Sequence, residues 1–124
     1  MTAGTPPLPP GWTGWVSAAP MTAPLRGKVR PFCRGHSAGA IAPWFPRSAS
    51  QPRGASSRWA LFSPAHQLSG LPSPGWFLVD CHQYHAADYH PSADPCGVLP
   101  KPFVDALEAR LGDFFWDLER FATP

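Results

Sequence analysis

Residues 102–121 read PFVDALEARLGDFFWDLERF, and the spacing of their apolar side chains sets the reading of the whole chain. Phe103, Leu107, Leu111, Phe114, Leu118 and Phe121 recur at steps of three and four, the period that lines one side of an α-helix. Asp105, Glu108, Arg110, Asp113, Asp117 and Glu119 fall on the other faces. Pro102 suits the first helical turn, where a missing N–H breaks no intrahelical bond. Gly112 weakens the helix by about 1 kcal/mol relative to alanine. The pattern predicts one amphipathic helix over 102–121. Its stripe must be covered by the body of the chain, by a second copy or by a partner.

Upstream of the helix the periodicity changes. Trp59 to Phe62 and Trp76 to Val79 are short apolar runs bounded by Ser, Pro and Gly, as buried strands are. Strands are expected at 28–33, 40–45, 58–62 and 76–80. Pro72, Ser73, Pro74 and Gly75 form a turn signal before the last of these, and the last two strands are expected to pair antiparallel. Residues 46–57, rich in Ser, Pro and Gly, read as a loop. The expected fold is a small α+β domain with a few short antiparallel strands, long Pro-rich loops and one C-terminal amphipathic helix.

Composition agrees with that modest content. The 124 residues include 18 Pro and 11 Gly, which limit regular structure, while six Trp and eight Phe supply enough apolar surface for one core. Asn is absent and Ile41 is the single isoleucine, a bias that a GC-rich coding sequence produces. Part of the arginine and proline content therefore carries no functional information. Residues 1–25 hold Pro6, Pro7, Pro9, Pro10, Pro20 and Pro24 around Trp12 and Trp15. They read as an extended arm that docks on a partner or packs its tryptophans on the body. The remaining residues, 26–124, read as one domain: a basic part at 26–79, a Cys/His loop at 80–100, then the helix.

No stretch approaches the roughly 20 apolar residues of a membrane-spanning helix. The N-terminus lacks the basic and apolar regions of a secretory signal, and three cysteines cannot all pair with one another. These features predict a cytoplasmic protein, or a subunit of a soluble assembly such as a virion. Charge is segregated along the chain. Arg26, Lys28, Arg30, Arg34, Arg47, Arg53 and Arg58 all precede the first acidic residue, Asp80. A basic, aromatic segment can grip phosphates and stack bases, with Arg26, Arg30, Arg34, Trp44 and Arg58 as candidates. It can equally complement the acidic half of the same chain.

The densest chemistry lies at 80–96, DCHQYHAADYHPSADPC. Cys81, His85, His90 and Cys96 supply sulfur and imidazole donors of the kind that zinc selects, and Cys33 with His36 could add two more from the basic half. The spacing matches no standard finger. A Cys81–Cys96 disulfide worth about 3 kcal/mol, or unliganded residues, are the alternatives. Nothing in the chain supplies a nucleophile elbow or a phosphate-binding glycine loop. The sequence thus predicts a non-enzymatic interaction or structural subunit of a larger assembly, for which a structural zinc site is one candidate means of stabilisation. Its partner or its own second copy would be held through the arm and through Phe103, Leu107, Leu111, Phe114, Leu118 and Phe121. The alternatives are a nucleic-acid-binding accessory protein using 26–59 and a small metal-dependent hydrolase.

Overall fold

In the computed structural model, residues 8–17, 29–63, 73–91 and 94–122 are described. Seven strands form one curled antiparallel sheet: β1 (Trp12–Ser17), β2 (Val29–Arg34), β3 (Ile41–Ser48), β4 (Ala60–Ser63), β5 (Gly75–Leu78), β6 (Gln83–Ala86) and β7 (Asp94–Val98). A single-turn helix, Val79–Cys81, follows β5, a 3-10 segment, Gly54–Trp59, precedes β4, and the helix α1 spans Lys101–Ala122. The strand order is β4-β5-β3-β2-β1-β7, with β6 also paired to β3. This is the α+β fold the sequence predicts, with more sheet than expected.

Strand β3 organises the sheet. Its residues Phe45 and Trp44 pair with Cys33 and Arg34 of β2 on one edge. On the other edge its first half pairs with β6, through Ala42 opposite His85 and Trp44 opposite Gln83. Its last residues, Arg47 and Ser48, pair with Phe77 and Trp76 of β5. Two prolines lie inside this strand, where a missing donor ordinarily breaks a ladder. Pro43 contributes its carbonyl to the Gly35 N–H at 2.8 Å. Donors alternate sides along a strand, so Pro46 turns its missing N–H to the edge where β6 gives way to β5. The ladder is interrupted there in any case.

Alternation also sorts the side chains into two faces. On one face, Cys33, Phe45, Phe77, Val79 and Leu99 meet Val104, Leu107 and Leu111 of α1 in a buried core, with Trp59 closing its side. Phe103 and Phe114 pack against this cluster. Four of the six stripe residues assigned to a partner, Phe103, Leu107, Leu111 and Phe114, are therefore engaged by the chain's own sheet. Leu118 is half exposed, and the Phe121 side chain lies outside the described side chains. On the other face, Trp12, Val16, Phe32 and Trp44 form a second buried cluster that Leu8, Cys81 and Tyr89 flank.

The N-terminal segment contributes to the structure directly. Within the region read as an arm, Trp12–Ser17 is an inner strand held between β2 and β7. Gly11 makes this possible, with φ at 92° and a backbone so close to Leu99 that an added Cβ would lie 2.4 Å from its carbonyl oxygen. The Gly11 N–H donates to the Arg34 carbonyl, and its own carbonyl accepts from the Leu99 N–H.

Candidate nucleic-acid interface

The face turned away from α1 carries most of the polar atoms that the fold buries without pairing. Arg30, Phe32 and Arg34 alternate with the core-facing residues of β2, so their side chains share that face with Trp44, Gln83 and His85. Arg30 Nε, Arg34 Nε, Trp44 Nε1 and His85 Nε2 are all buried there with no hydrogen-bond partner among the described residues. Buried polar groups are ordinarily paired, and a cluster of exceptions asks for an explanation.

The three basic or aromatic candidates on this face differ in reach. Arg34 is almost fully buried and fastens the β2–β3 turn: Nη1 donates to the Gly35 carbonyl at 3.0 Å, and Nη2 to Ser37 Oγ and the Ala87 carbonyl at 2.9 Å each. Trp44 has no exposed surface and lies edge-on to Trp12, Tyr89 and His85. Neither can meet a phosphate or a base from solution, so their assignment as nucleic-acid contacts is corrected to structural roles. Arg58 lies over the Trp59 ring at 4.7 Å and pairs with Asp117 of α1 at 3.6 Å. Arg26 lies outside the described residues. Arg30 is different. It is half-buried, opposite Val16 of β1, and its guanidinium has no hydrogen bond or ion pair among the described residues.

Beside Arg30 stands the turn after β5. The Cys81 thiol is pushed up to about 11, first by burial and then by the Asp80 charge and hydrogen bond, while the Arg30 charge acts the other way. Arg30 therefore lies within electrostatic reach of the turn that carries Asp80. Ser56 Oγ of the 3-10 segment donates to Asp80 Oδ2 at 2.8 Å, and Asp80 Oδ1 is buried without a partner. The connection between β3 and that segment encloses an open concavity of about 690 Å³, lined by Ser50, Gln51, Pro52, Arg53, Gly54 and Ser57. At its edge Ser48 Oγ donates to the Ser50 carbonyl at 2.8 Å and accepts from the Ser50 N–H at 3.1 Å. A cation, an exposed arginine and an open polar hollow thus share one end of β3.

The cysteines and histidines proposed as zinc ligands do not converge among the described residues. Cys33 is fully buried in the core under α1, its thiol raised to about 12 chiefly by burial. Cys81 packs against the Trp44 cluster on the opposite side of the sheet. The single-turn helix Val79–Cys81 ends the alternation expected from a strand at 76–80, and His82 Nδ1 donates to the Val79 carbonyl at 2.7 Å. His85 stacks on Tyr89 with ring centroids 4.3 Å apart, His90 is exposed, and Cys96 lies on β7 where the register with β1 shifts. His36 instead meets α1. Its backbone N–H donates to Glu108 Oε1 at 2.7 Å and its Nδ1 lies 2.6 Å from Oε2. With Asp105 these residues form a group whose potential ligand atoms lie within 4.8 Å of one another. Each carboxylate already has a protein partner, since Lys101 Nζ donates to Asp105 at 2.7 Å.

Sequence reading missed Asp80 with Ser56 as a polar pair and missed the strands that carry Trp12 and His85. The alternation of Trp76 and Leu78 with Phe77 and Val79 was the available signal that two residues of the β5 run face away from the core.

No family model and no curated protein matches the sequence. Solved structures do match. The fold is similar to that of MazF (Form-I) from Deinococcus radiodurans, with a TM-score of 0.64 and 18% identity over 90% of this chain and 98% of that one. It is also similar to MazE-MazF (Form-II) from the same organism, at 0.61 and 16% over 90% and 97%. The expectation of a non-enzymatic structural subunit is corrected by this likeness. What reads in sequence as an irregular body with an arm is a curled sheet and helix similar in fold to MazF. No helix among the described residues is long and apolar enough to cross a membrane.

Proposed function

We propose that this chain is a nucleic-acid-cleaving toxin of the MazF type, an endoribonuclease acting on the sheet face around Arg30. The observation that supports this reading most directly is Arg30, half-buried on the face of a MazF-like sheet away from α1, with no hydrogen bond or ion pair among the described residues. RNA carries its own nucleophile. When the ribose 2′-hydroxyl attacks the adjacent phosphorus and expels the 5′-oxygen, negative charge builds on the phosphoryl oxygens. A fixed guanidinium aimed at them stabilises that charge more than it stabilises the ground state. Arg30 is that group in this reading, and the Ser56–Asp80 pair stiffens the turn beside it. The exposed Arg53 at the rim of the concavity steers the strand in.

A protein partner belongs to the same reading, because one similar structure is a MazE-MazF complex. The helix surface still open to a partner is Phe115, Trp116 and Leu118, the large apolar residues of α1 that remain exposed. An RNA substrate would put the site of action in the cytoplasm.

The test is cleavage of single-stranded RNA by the purified chain, with DNA of the same sequence as the control. Arg30→Ala is expected to lower the rate about 100-fold, the scale of losing one charge-stabilising donor, with an unchanged melting temperature. Equal rates for the variant and the parent, or intact RNA under all conditions, would remove the proposal.

A further inference from the structure

We infer that Trp76 and Phe62 form a subsite on which an unpaired base of single-stranded RNA stacks, beside the phosphate held by Arg30. The inference rests on the nuclease reading above for the identity of the ligand, and on separate observations for the site.

The register defines a cross-strand row. Ser48 of β3 pairs with Trp76 of β5, and Trp76 pairs with Phe62 of β4. On the other side of β3, the paired register ends at Phe32 opposite Pro46, and extending it by two residues brings Arg30 level with Ser48. Arg30 in turn lies opposite Val16. Arg30, Ser48, Trp76 and Phe62 therefore occupy successive strands on the face away from α1. Strands lie about 4.8 Å apart, so the aromatic pair begins roughly 10 Å from Arg30, the reach of a neighbouring nucleotide.

The pair is built for a flat ligand. Phe62 is 46% exposed although it is a large apolar residue in a strand, and its ring centroid lies 5.2 Å from that of the half-buried Trp76. The next core layer does not need them: Leu61 and Phe77, on the opposite face of the same two strands, supply the contacts to the main cluster. The close seating of β5 on β3 keeps the row in place. Gly75 is packed so tightly that a Cβ there would lie 2.6 Å from the Ser48 carbonyl oxygen. Charge selects the ligand. No acidic residue occurs before Asp80, so β2, β3, β4 and the hollow with Arg53 carry no negative charge, and Asp80 beside Arg30 turns one carboxylate oxygen to Ser56. An apolar peptide would gain nothing from Arg30 and Arg53, whereas an RNA strand presents a phosphate and a base at the matching spacing.

The experiment uses the full chain and a short single-stranded RNA carrying 2′-O-methyl groups, which binds and cannot be cut, followed by fluorescence anisotropy. A second probe of the same length lacks bases in its central positions. Phe62→Ala is expected to weaken binding of the first probe on the order of tenfold, as for loss of one stacked base. It should leave binding of the abasic probe unchanged, and Phe62→Trp should restore the affinity. The subsite is overturned if Phe62→Ala binds the base-bearing probe as the parent does, or loses both probes equally, or if the parent binds neither. Parent protein that cleaves unmodified RNA while Phe62→Ala binds normally removes the subsite and keeps the nuclease. Parent protein that shows the Phe62-dependent binding but cuts no RNA removes the nuclease and keeps the subsite.

Discussion

The two faces of the sheet solve the same burial problem in opposite ways. Under α1, Phe45, Phe77, Val79, Leu107 and Leu111 interdigitate in an apolar layer, and the polar contact at its margin, His36 with Glu108, is fully formed. On the other face Trp12, Val16, Phe32 and Trp44 are buried just as deeply, yet four polar nitrogens there have no partner among the described residues. The helix face is a core. The opposite face is a second core that holds polar groups among its aromatic rings.

The sharpest way to break this contrast is to hollow out each side in turn. Trp44→Ala is expected to destabilise the chain by about 4 kcal/mol and Leu107→Ala by about 3 kcal/mol, as large-to-small core substitutions do. Both losses would be read from urea unfolding. RNA cleavage measured well below the transition should fall for Trp44→Ala, whose ring supports the site face, and stay unchanged for Leu107→Ala. A Trp44→Ala loss below about 1 kcal/mol would mean that the second cluster is not a core.

Acid separates the faces more finely, because each carries one histidine buried in its neutral form. His82 packs beside Phe45, Phe114 and Phe115 on the helix side, and His85 beside Trp44 and Tyr89 on the other. Burial holds both below the ordinary value of 6.5, and for His82 the Val79 carbonyl and the Asp80 charge oppose that shift without cancelling it. The unfolded chain therefore takes up these protons first. Stability is fully present above about pH 6.5 and is lost as the pH falls through the folded-state values. His82→Gln and His85→Gln should each remove part of the slope between pH 7 and pH 5 in unfolding experiments at about one-tenth molar salt. An unchanged slope in both variants would show that neither histidine titrates lower in the fold than in the unfolded chain.

The smallest effect is expected where neither face is involved. Trp116 is 65% exposed on α1, and Trp116→Ala should change stability by less than about 0.5 kcal/mol. A larger loss in thermal melting would mean that this tryptophan is covered in solution, and would move the partner surface to the centre of the molecule.

What could be read in the sequence follows the same division. The helix was legible because Phe103, Leu107, Leu111 and Phe114 repeat at the period of the element that buries them. Strands β2, β3, β4 and β5 were legible because their apolar runs are bounded by turn residues, and the antiparallel pairing of β4 with β5 is present. Strands β1, β6 and β7 were not. Gly14 interrupts β1, Pro95 and Gly97 interrupt β7, and β6 lies in the Cys/His window, where composition argues for a loop. Their geometry comes from neighbouring strands more than from local preference. The site was harder still. Arg30 and Arg34 share a face and a residue type, and only the Ser37 and Ala87 oxygens around Arg34 separate a fastener from an arginine with no such partner among the described residues. The density of Cys and His at 80–96 suggested a metal because one-dimensional proximity was taken for proximity in space. A turn at Val79–Cys81 and the alternation of β6 send those side chains to different places.

The position of β1 has a consequence for how the chain is made. The first strand cannot settle until β2 lies on one side of it and β7, ending at Val98, lies on the other. Most of the chain therefore lies between β1 and its outer neighbour β7, and Trp12 gains its final neighbours only when that distant strand arrives. A topology in which the earliest strand needs nearly the latest one folds late and slowly, through contacts distant in sequence. Until β7 docks, Trp12 and Trp15 lack the neighbour that covers the outer edge of their strand.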